Sequence, residues 1–324
     1  MNPHPDPSPS ASTSAPASAA AGAGAPVHLA SADSARRHDG AAVAASAMLG
    51  DFVVAYAGAD IGEHCRVLGF TQLWPGVRLE AGAELGPGVT LEAPEPGQRA
   101  DIVIGPQARV GAGALICAGV RLGQGAVVAA GAVVAQNVPP YAVVSGAPAR
   151  IIDYVQTASR APAMAWHQRA EFPAQPSVVP LGVGDVTLHR FKFLHDPRGD
   201  LSVGEFDKEI PFLPKRYFLV MNVPSDKTRG EHAHRRCHQF LVCVKGSCAL
   251  VVDDLEQRCE VQLDSPELGV YLPPMTWGIQ YKYSSDAVLL VFTSDYYDAD
   301  DYIRDYDQFV IEKRADQRAN LEPA

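Results

Sequence analysis

Two histidines spaced by one residue, His232 and His234, stand in Arg229-Gly230-Glu231-His232-Ala233-His234, between apolar runs at 217–223 and 240–244. A strand sends alternate side chains to opposite faces, so the two imidazoles point to the same side of a sheet. Imidazole titrates near neutral pH, and a facing pair can act as general acid and base or supply two ligands to a metal ion. His238 follows closely, and three imidazoles would suit zinc or iron. A hydrogen-bonded structural pair is the third reading, and all three stay open on the residues alone.

The elements that must position the pair are short strands. Beyond residue 180 the chain runs through β-rich segments at 186–193, 217–223, 240–244, 249–252, 260–263, 269–272, 279–283 and 287–292. Turn signals such as Pro197-Arg198-Gly199, Lys245-Gly246 and Pro273-Pro274 separate them. Many short strands at this spacing predict a β-sandwich or jelly-roll barrel.

The first half carries a different pattern. An aliphatic residue returns every six positions at Ile61, Val67, Leu73, Leu79, Leu85 and Leu91, and again at Ile104, Val110, Ile116, Leu122, Val128 and Val134. A hexapeptide period predicts a parallel β-helix, with three hexads closing each triangular coil and the aliphatic residues stacked inside. The interruption at 92–103 holds Pro94, Pro96 and Gly97, which predicts an extruded loop. The expected fold class is therefore all-β, a β-helix at 47–153 followed by a barrel at 181–314. Residues 1–46, rich in Ala, Ser and Pro, read as a disordered tail, 154–180 as a linker and 315–324 as a second tail.

Composition limits the partners. The formal net charge is −10 and no Lys/Arg block occurs, which argues against nucleic acid and anionic membrane surfaces. Six cysteines without Cys-x-x-Cys or zinc spacing read as reduced thiols. With neither a secretory signal nor a span-length apolar run in view, a cytoplasmic protein is expected.

The ladder ends in Val138-Pro139-Pro140-Tyr141 … Gly146-Ala147-Pro148-Ala149-Arg150, which resembles the hexapeptide-repeat acyltransferases over about residues 48–153. The resemblance implies a left-handed helix, a trimer, and acetyl-CoA in the groove between neighbouring helices. Gly113, Ala130 and Gly131 would let its pantetheine arm approach the backbone, and Arg150 would meet its phosphates. An active acetyltransferase and a purely trimerising scaffold are both open, because fold does not fix activity.

The second half resembles the cupins. Its motifs are Asp196-x-Arg198-Gly199-x-Leu201, Arg216-Tyr217, Arg229-Gly230-x-His232-Ala233-His234 with Gln239, and Asp301-Tyr302-Ile303-Arg304-Asp305-Tyr306-Asp307. Together they resemble the WxcM-like nucleotide-sugar 3,4-ketoisomerases over about residues 183–312. That resemblance implies a dTDP-4-keto-6-deoxyhexose substrate and no metal or cofactor. Moving the ketone requires a base at carbon 3 and stabilisation of an enediolate. His232 is expected as base, His234 as its relay and Tyr217 as a second acid. Arg229 and Arg198 are expected at the diphosphate or oxyanion, with Trp277 stacking on the ligand and Gln239 beside it. Tyr217 and Trp277 have core packing as their alternative, Arg198 a turn brace with Asp196. The acidic stretch 295–307 reads as a solvated face, with Tyr296, Tyr302 and Tyr306 at a dimer edge. Trimeric helices joined through dimeric cupins would give a hexamer. A non-catalytic sugar-nucleotide-binding cupin on a trimeric scaffold and a metal-dependent cupin enzyme are the alternatives.

Overall fold

The computed structural model describes residues 34–96, 100–155 and 177–321. Two-residue strands recur every six positions through its first part, from Arg36–Arg37 to Val133–Val134, interrupted once at the loop after Thr90–Leu91. Most pair in parallel with a strand eighteen positions on, as Asp60 does with Arg78 and Arg66 with Glu84. Three hexads thus make one coil. Across the loop the step lengthens to twenty-five, Arg78 with Val103, and the stack continues. Ile61, Leu79, Ile104 and Leu122 form one inward ladder, each at most 1% exposed. Gly111 shows why the corners need small residues: a Cβ there would lie 2.5 Å from the Ala130 backbone nitrogen. The β-helix predicted from the hexad period is the observed fold, closed at its end by an antiparallel hairpin, Ala142–Gly146 with Ala149–Tyr154.

The second part packs two antiparallel sheets face to face. In spatial order, one holds Ser177–Pro180, Thr187–Arg190, Leu268–Leu272, Gln239–Lys245, Val288–Thr293 and Arg216–Met221. The other holds Arg258–Leu263, Cys248–Asp253, Trp277–Tyr281, Arg229–His234 and Tyr302–Ile303. Leu188, Leu241, Leu250, Val252, Val261, Val270 and Leu289 fill the space between them. Helix α1 (Tyr306–Leu321) follows the last strand.

The outer face of the five-stranded sheet carries Ala249, Val251, Trp277, Ile279 and Tyr281, and these join the β-helix interior in one apolar cluster. Arg258, 7% exposed, bonds Asp253 at 2.9 Å and the Val155 carbonyl at 3.0 Å. Its guanidinium also lies 3.6 Å from the centre of the Tyr141 ring. A buried ion pair braced on an aromatic of the β-helix ties the two parts together.

Three boundaries and one surface differ from expectation. Strands Arg36–Arg37 and Ala42–Val43 already belong to the helix, so it begins inside the segment read as a tail. The hexad phase continues there with Arg37, Val43 and Leu49, but only a two-sided coil partner makes it visible. Ser177–Pro180, assigned to the linker, is an edge strand of the six-stranded sheet. Most of the 315–324 tail continues α1. The stretch 295–307 is not merely a solvated face: Asp301 is 3% exposed, and Tyr306 is buried against Trp277 rather than at an edge. Residues 1–33 and 156–176 lie outside the described residues.

Candidate active site

The strand Arg229–His234 lies between Trp277–Tyr281 and Tyr302–Ile303. Its register sets His232 opposite Gly278 and His234 opposite Tyr302, so both imidazoles turn to the barrel interior. Gly278 has no side chain to cover His232. A bulge between Gly230 and His232 puts Glu231 at φ 52°, a left-handed conformation uncommon for a residue with a side chain.

Three side chains line up from there. The Nε2 atoms of His232 and His234 are 3.2 Å apart. His234 donates from Nδ1 to Asp301 Oδ2 at 2.8 Å, and Asp301 Oδ1 accepts the Arg236 backbone N–H at 2.9 Å. The carboxylate assigns the Nδ1–H tautomer to His234, leaving its Nε2 lone pair toward His232. Burial pushes His232 down to about 4, and burial also lowers His234, outweighing the opposing pull of Asp301. Both rings are neutral at pH 7, the state a general base needs.

The Tyr302 ring packs against both imidazoles, with centroids 4.9 Å from His232 and 4.3 Å from His234. The Arg304 guanidinium lies 4.3 Å from the Tyr302 ring centre. Arg216, opposite Thr293 on the inner face, bonds its hydroxyl at 3.3 Å. Arg304 disfavours protonation of both histidines and Arg216 that of His234. Among the described residues, no carboxylate forms an ion pair with Arg216, Arg229 or Arg304. Arg216 and Arg304, without a carboxylate partner and beside a neutral histidine pair, suit a diphosphate or a developing oxyanion.

The remaining predicted residues divide. Gln239 is buried on the inner face, in register with Leu272 and Thr293. Arg229 is exposed at the start of the histidine strand, opposite Gln280. Tyr217 is not in the barrel: it is 66% exposed on the outer face, one position out of phase with the inward Arg216. Trp277 also faces outward, packed edge-on against Tyr306 at 5.1 Å and beside Phe309 at 5.5 Å, so it stacks on no barrel ligand. Arg198 is held by Asp196 at 2.8 and 3.0 Å with its side chain 90% exposed, which is the turn brace. His238 bonds the Tyr271 hydroxyl at 2.6 Å, away from the pair, so the three imidazoles do not converge as a metal site.

Asp301, Arg304 and Arg216 are site residues that sequence reasoning left unassigned, and Tyr302, expected at a dimer edge, packs on the histidine pair instead. All four stand in the quoted motifs, and strand parity sets Arg216 and Tyr217 on opposite faces without saying which of them points inward. Asp301 carried no such signal, being far along the chain from His234.

On the β-helix, Gly113, Ala130 and Gly131 do share one corner, stacked over Gly88, Phe70 and Phe52. Successive corner amides, Gly88, Gly113 and Gly131, bond the carbonyl one coil below. Gly113 and Gly131 have φ near +66° and +69° with open space where a Cβ would project, leaving a flat backbone floor. Arg150 is not with them, since it pairs with Asp226 of the barrel at 3.2 Å.

A β-helix of hexapeptide repeats followed by a cupin-type barrel with an inward His–His–Asp line defines the class of this protein. Residues 184–314 match the family described as WxcM-like, C-terminal, and residues 101–136 match the bacterial transferase hexapeptide (six repeats). A curated relative, the TDP-4-oxo-6-deoxy-α-D-glucose-3,4-oxoisomerase of Aneurinibacillus thermoaerophilus, is 43% identical over 132 residues, spanning 41% of this chain and 93% of that protein. The chain belongs to this WxcM-like family. Among solved structures, the 3,4-ketoisomerase QdtA of Thermoanaerobacterium thermosaccharolyticum, in complex with TDP-4-keto-6-deoxyglucose, is 34% identical. It covers 41% of this chain and 96% of its own, with a TM-score of 0.40. A 3,4-ketoisomerase from Helicobacter canadensis is 35% identical over 40% of this chain and 98% of its own, with a TM-score of 0.39.

Proposed function

We propose that the barrel isomerises a dTDP-4-keto-6-deoxyhexose to its 3-keto isomer by proton transfer through His232 and His234. The observation that carries this is the line from the neutral, half-buried His232 to the neutral, buried His234 and the Asp301 carboxylate, with Arg216 and Arg304 beside it. The names of the relatives support the reaction class. The carbon 3 proton, acidic beside the carbonyl, passes to His232. It is shared across the 3.2 Å contact and is held as an imidazolium against Asp301. The enediolate oxygen is stabilised by Arg216 or Arg304, the hydroxyl proton on oxygen 3 passes to oxygen 4, and the imidazolium, after exchange with solvent, delivers a proton to carbon 4. No step calls for a metal or cofactor.

The test is proton NMR of dTDP-4-keto-6-deoxyglucose incubated with the protein in deuterated buffer containing EDTA. A 3-keto product labelled at carbon 4 is expected. Unchanged sugar would discard the isomerase, and activity only after metal addition would favour a metal-dependent cupin enzyme. Loss of turnover with retained ligand binding in His232→Asn separates the enzyme from a binding module.

For the β-helix the reading is acetyl transfer from acetyl-CoA to a dTDP-3-amino-deoxyhexose. It is supported by the match to transferase hexapeptides and by the open glycine corner at Gly113 and Gly131. Thiol release from acetyl-CoA, dependent on the amino sugar, tests it. No release would leave the helix as an assembly scaffold. Self-association belongs to the same reading, trimeric through the helix and dimeric through the barrel.

A further inference from the structure

Beside the proton relay lies a set of donors that the isomerisation does not use as a whole. Cys237 follows the histidine strand by three residues, and the turn at 235–238 folds it back toward Asp301. The ligating atoms of His234, Cys237 and Asp301 all lie within 4.8 Å of one another. The three residues are 4%, 3% and 3% exposed. The Cys237 thiol meets the His238 carbonyl at 3.5 Å, the Ser294 hydroxyl at 3.9 Å and the Asp295 backbone, and no charged group is bonded to it among the described residues.

We propose that His234, Cys237 and Asp301 bind a thiophilic divalent cation of the zinc class, and that its binding stops the proton relay. The inhibition rests on the isomerase reading; the binding does not. Donor chemistry selects the ion. One imidazole, one thiolate and one carboxylate suit zinc or cobalt, whereas magnesium and calcium seek oxygen ligands. Charge agrees, since a thiolate and a carboxylate cancel a dication and leave no net charge in the interior.

Distances agree as well. Ligand atoms around a tetrahedral zinc stand about 3.2–3.8 Å apart, given bonds of about 2.0–2.3 Å. The His234–Asp301 separation of 2.8 Å would open slightly, and the widest separation in the trio would close by about an ångström. Water or a substrate oxygen completes the shell. On binding, the Cys237 thiol proton is released to solvent, and the His234 Nδ1 proton moves to Nε2 as Nδ1 takes the metal. The Nε2–H then points at His232, and His234 has no lone pair left to receive a proton. Asp301 is occupied by the metal too. The relay is blocked at His234 and at Asp301.

The full-length protein, stripped with EDTA, is titrated with Co2+, and the near-ultraviolet thiolate-to-cobalt absorption is read alongside turnover under Zn2+. Wild type should show the band at one equivalent and lose activity to Zn2+, with EDTA restoring it. Cys237→Ala should keep its metal-free activity, lack the band and require at least tenfold more Zn2+ for inhibition. Cys237→Ser provides the same comparison should the alanine variant fold poorly. A wild type without the band, a band unchanged in both variants, or variants inhibited at wild-type Zn2+ concentrations would overturn the site. If the metal-free wild type shows no turnover, the isomerase reading fails while the band still decides the binding.

Discussion

His234 and Asp301, sixty-seven residues apart in the chain, meet through a 2.8 Å hydrogen bond with neither side chain more than 5% exposed. Such a carboxylate fixes the imidazole tautomer and steadies the imidazolium that forms during proton transfer. Asp301→Asn keeps the shape but offers an amide that can donate to Nδ1 and invert the tautomer. We predict that kcat falls by about a hundredfold or more, within the range of general acid–base contributions, while KM changes little. Steady-state kinetics decide it, and a variant within about threefold of wild type would remove Asp301 from the mechanism.

Arg304 stands over the Tyr302 ring with no carboxylate paired to it among the described residues. A guanidinium left uncommitted beside the relay is suited to the substrate's anionic part. Arg304→Met should raise KM by about ten- to a hundredfold, the range for a lost charge-assisted hydrogen bond. Its melting temperature should stay close to wild type because the side chain is exposed. Unaltered KM would assign the diphosphate to Arg216 or Arg229 instead.

The contrast between residues read well and badly has a physical basis. The β-helix was legible because each coil forces an aliphatic residue inward every sixth position, and no other fold imposes that period. The histidine pair was legible because alternation puts positions 232 and 234 on one face whatever the partners. Parity failed at 216–221 because Arg-Tyr-Phe-Leu-Val-Met is apolar on both faces, so nothing in it says that Arg216 and Phe218 point inward while Tyr217 points out. Trp277 misled for the same reason: its outward face is covered by Tyr306 and Phe309, so it is as buried as a barrel residue. Asp301 depended on a return of the chain that only the fold supplies.

Trp277 separates packing from ligand binding. Replacing it with alanine should destabilise the protein by about 3–5 kcal/mol, the usual cost of deleting a buried large aromatic. Residual enzyme below its melting temperature should bind substrate with an unaltered KM. A raised KM with unaltered melting would return Trp277 to the ligand site.

Four histidines lowered by burial, His189, His232, His234 and His238, make stability fall in mild acid. Burial holds His189 and His232 each at about 4 in the folded chain, against about 6.5 when unfolded. Above about pH 6.5 both are neutral in either state and cost nothing. Between 6.5 and 4 the unfolded chain binds more protons, so stability declines across that window and the loss levels off below it. The buried His189 contributes up to about 3 kcal/mol, on the order of 1.4 kcal/mol per unit of displacement; the less buried His232 contributes less. Urea midpoints at pH 7.5, 5.5 and 4.5 should fall in that order. His189→Leu should flatten the decline whatever it does to stability at high pH, and an identical slope in the variant would refute the assignment.

The strand Arg216–Met221 ends the six-stranded sheet and, among the described residues, no strand pairs with its outer edge. Its outer face shows Tyr217 at 66%, Leu219 at 44% and Met221 at 45% exposure, with no charged residue among them. Edge strands of soluble proteins are normally blunted by lysine, proline or a covering segment, and this one has an apolar row instead. A second copy related by a twofold axis would cover the row with its own and satisfy the edge. Leu219→Glu combined with Met221→Glu would set four carboxylates against one another across that axis. Light scattering should then show each assembly reduced by the barrel contact, to trimers if the β-helix also associates and to monomers if it does not. Because Arg216 lies on the opposite face of the same strand, turnover should survive in the smaller species; an assembly of unchanged mass would place the barrel contact elsewhere.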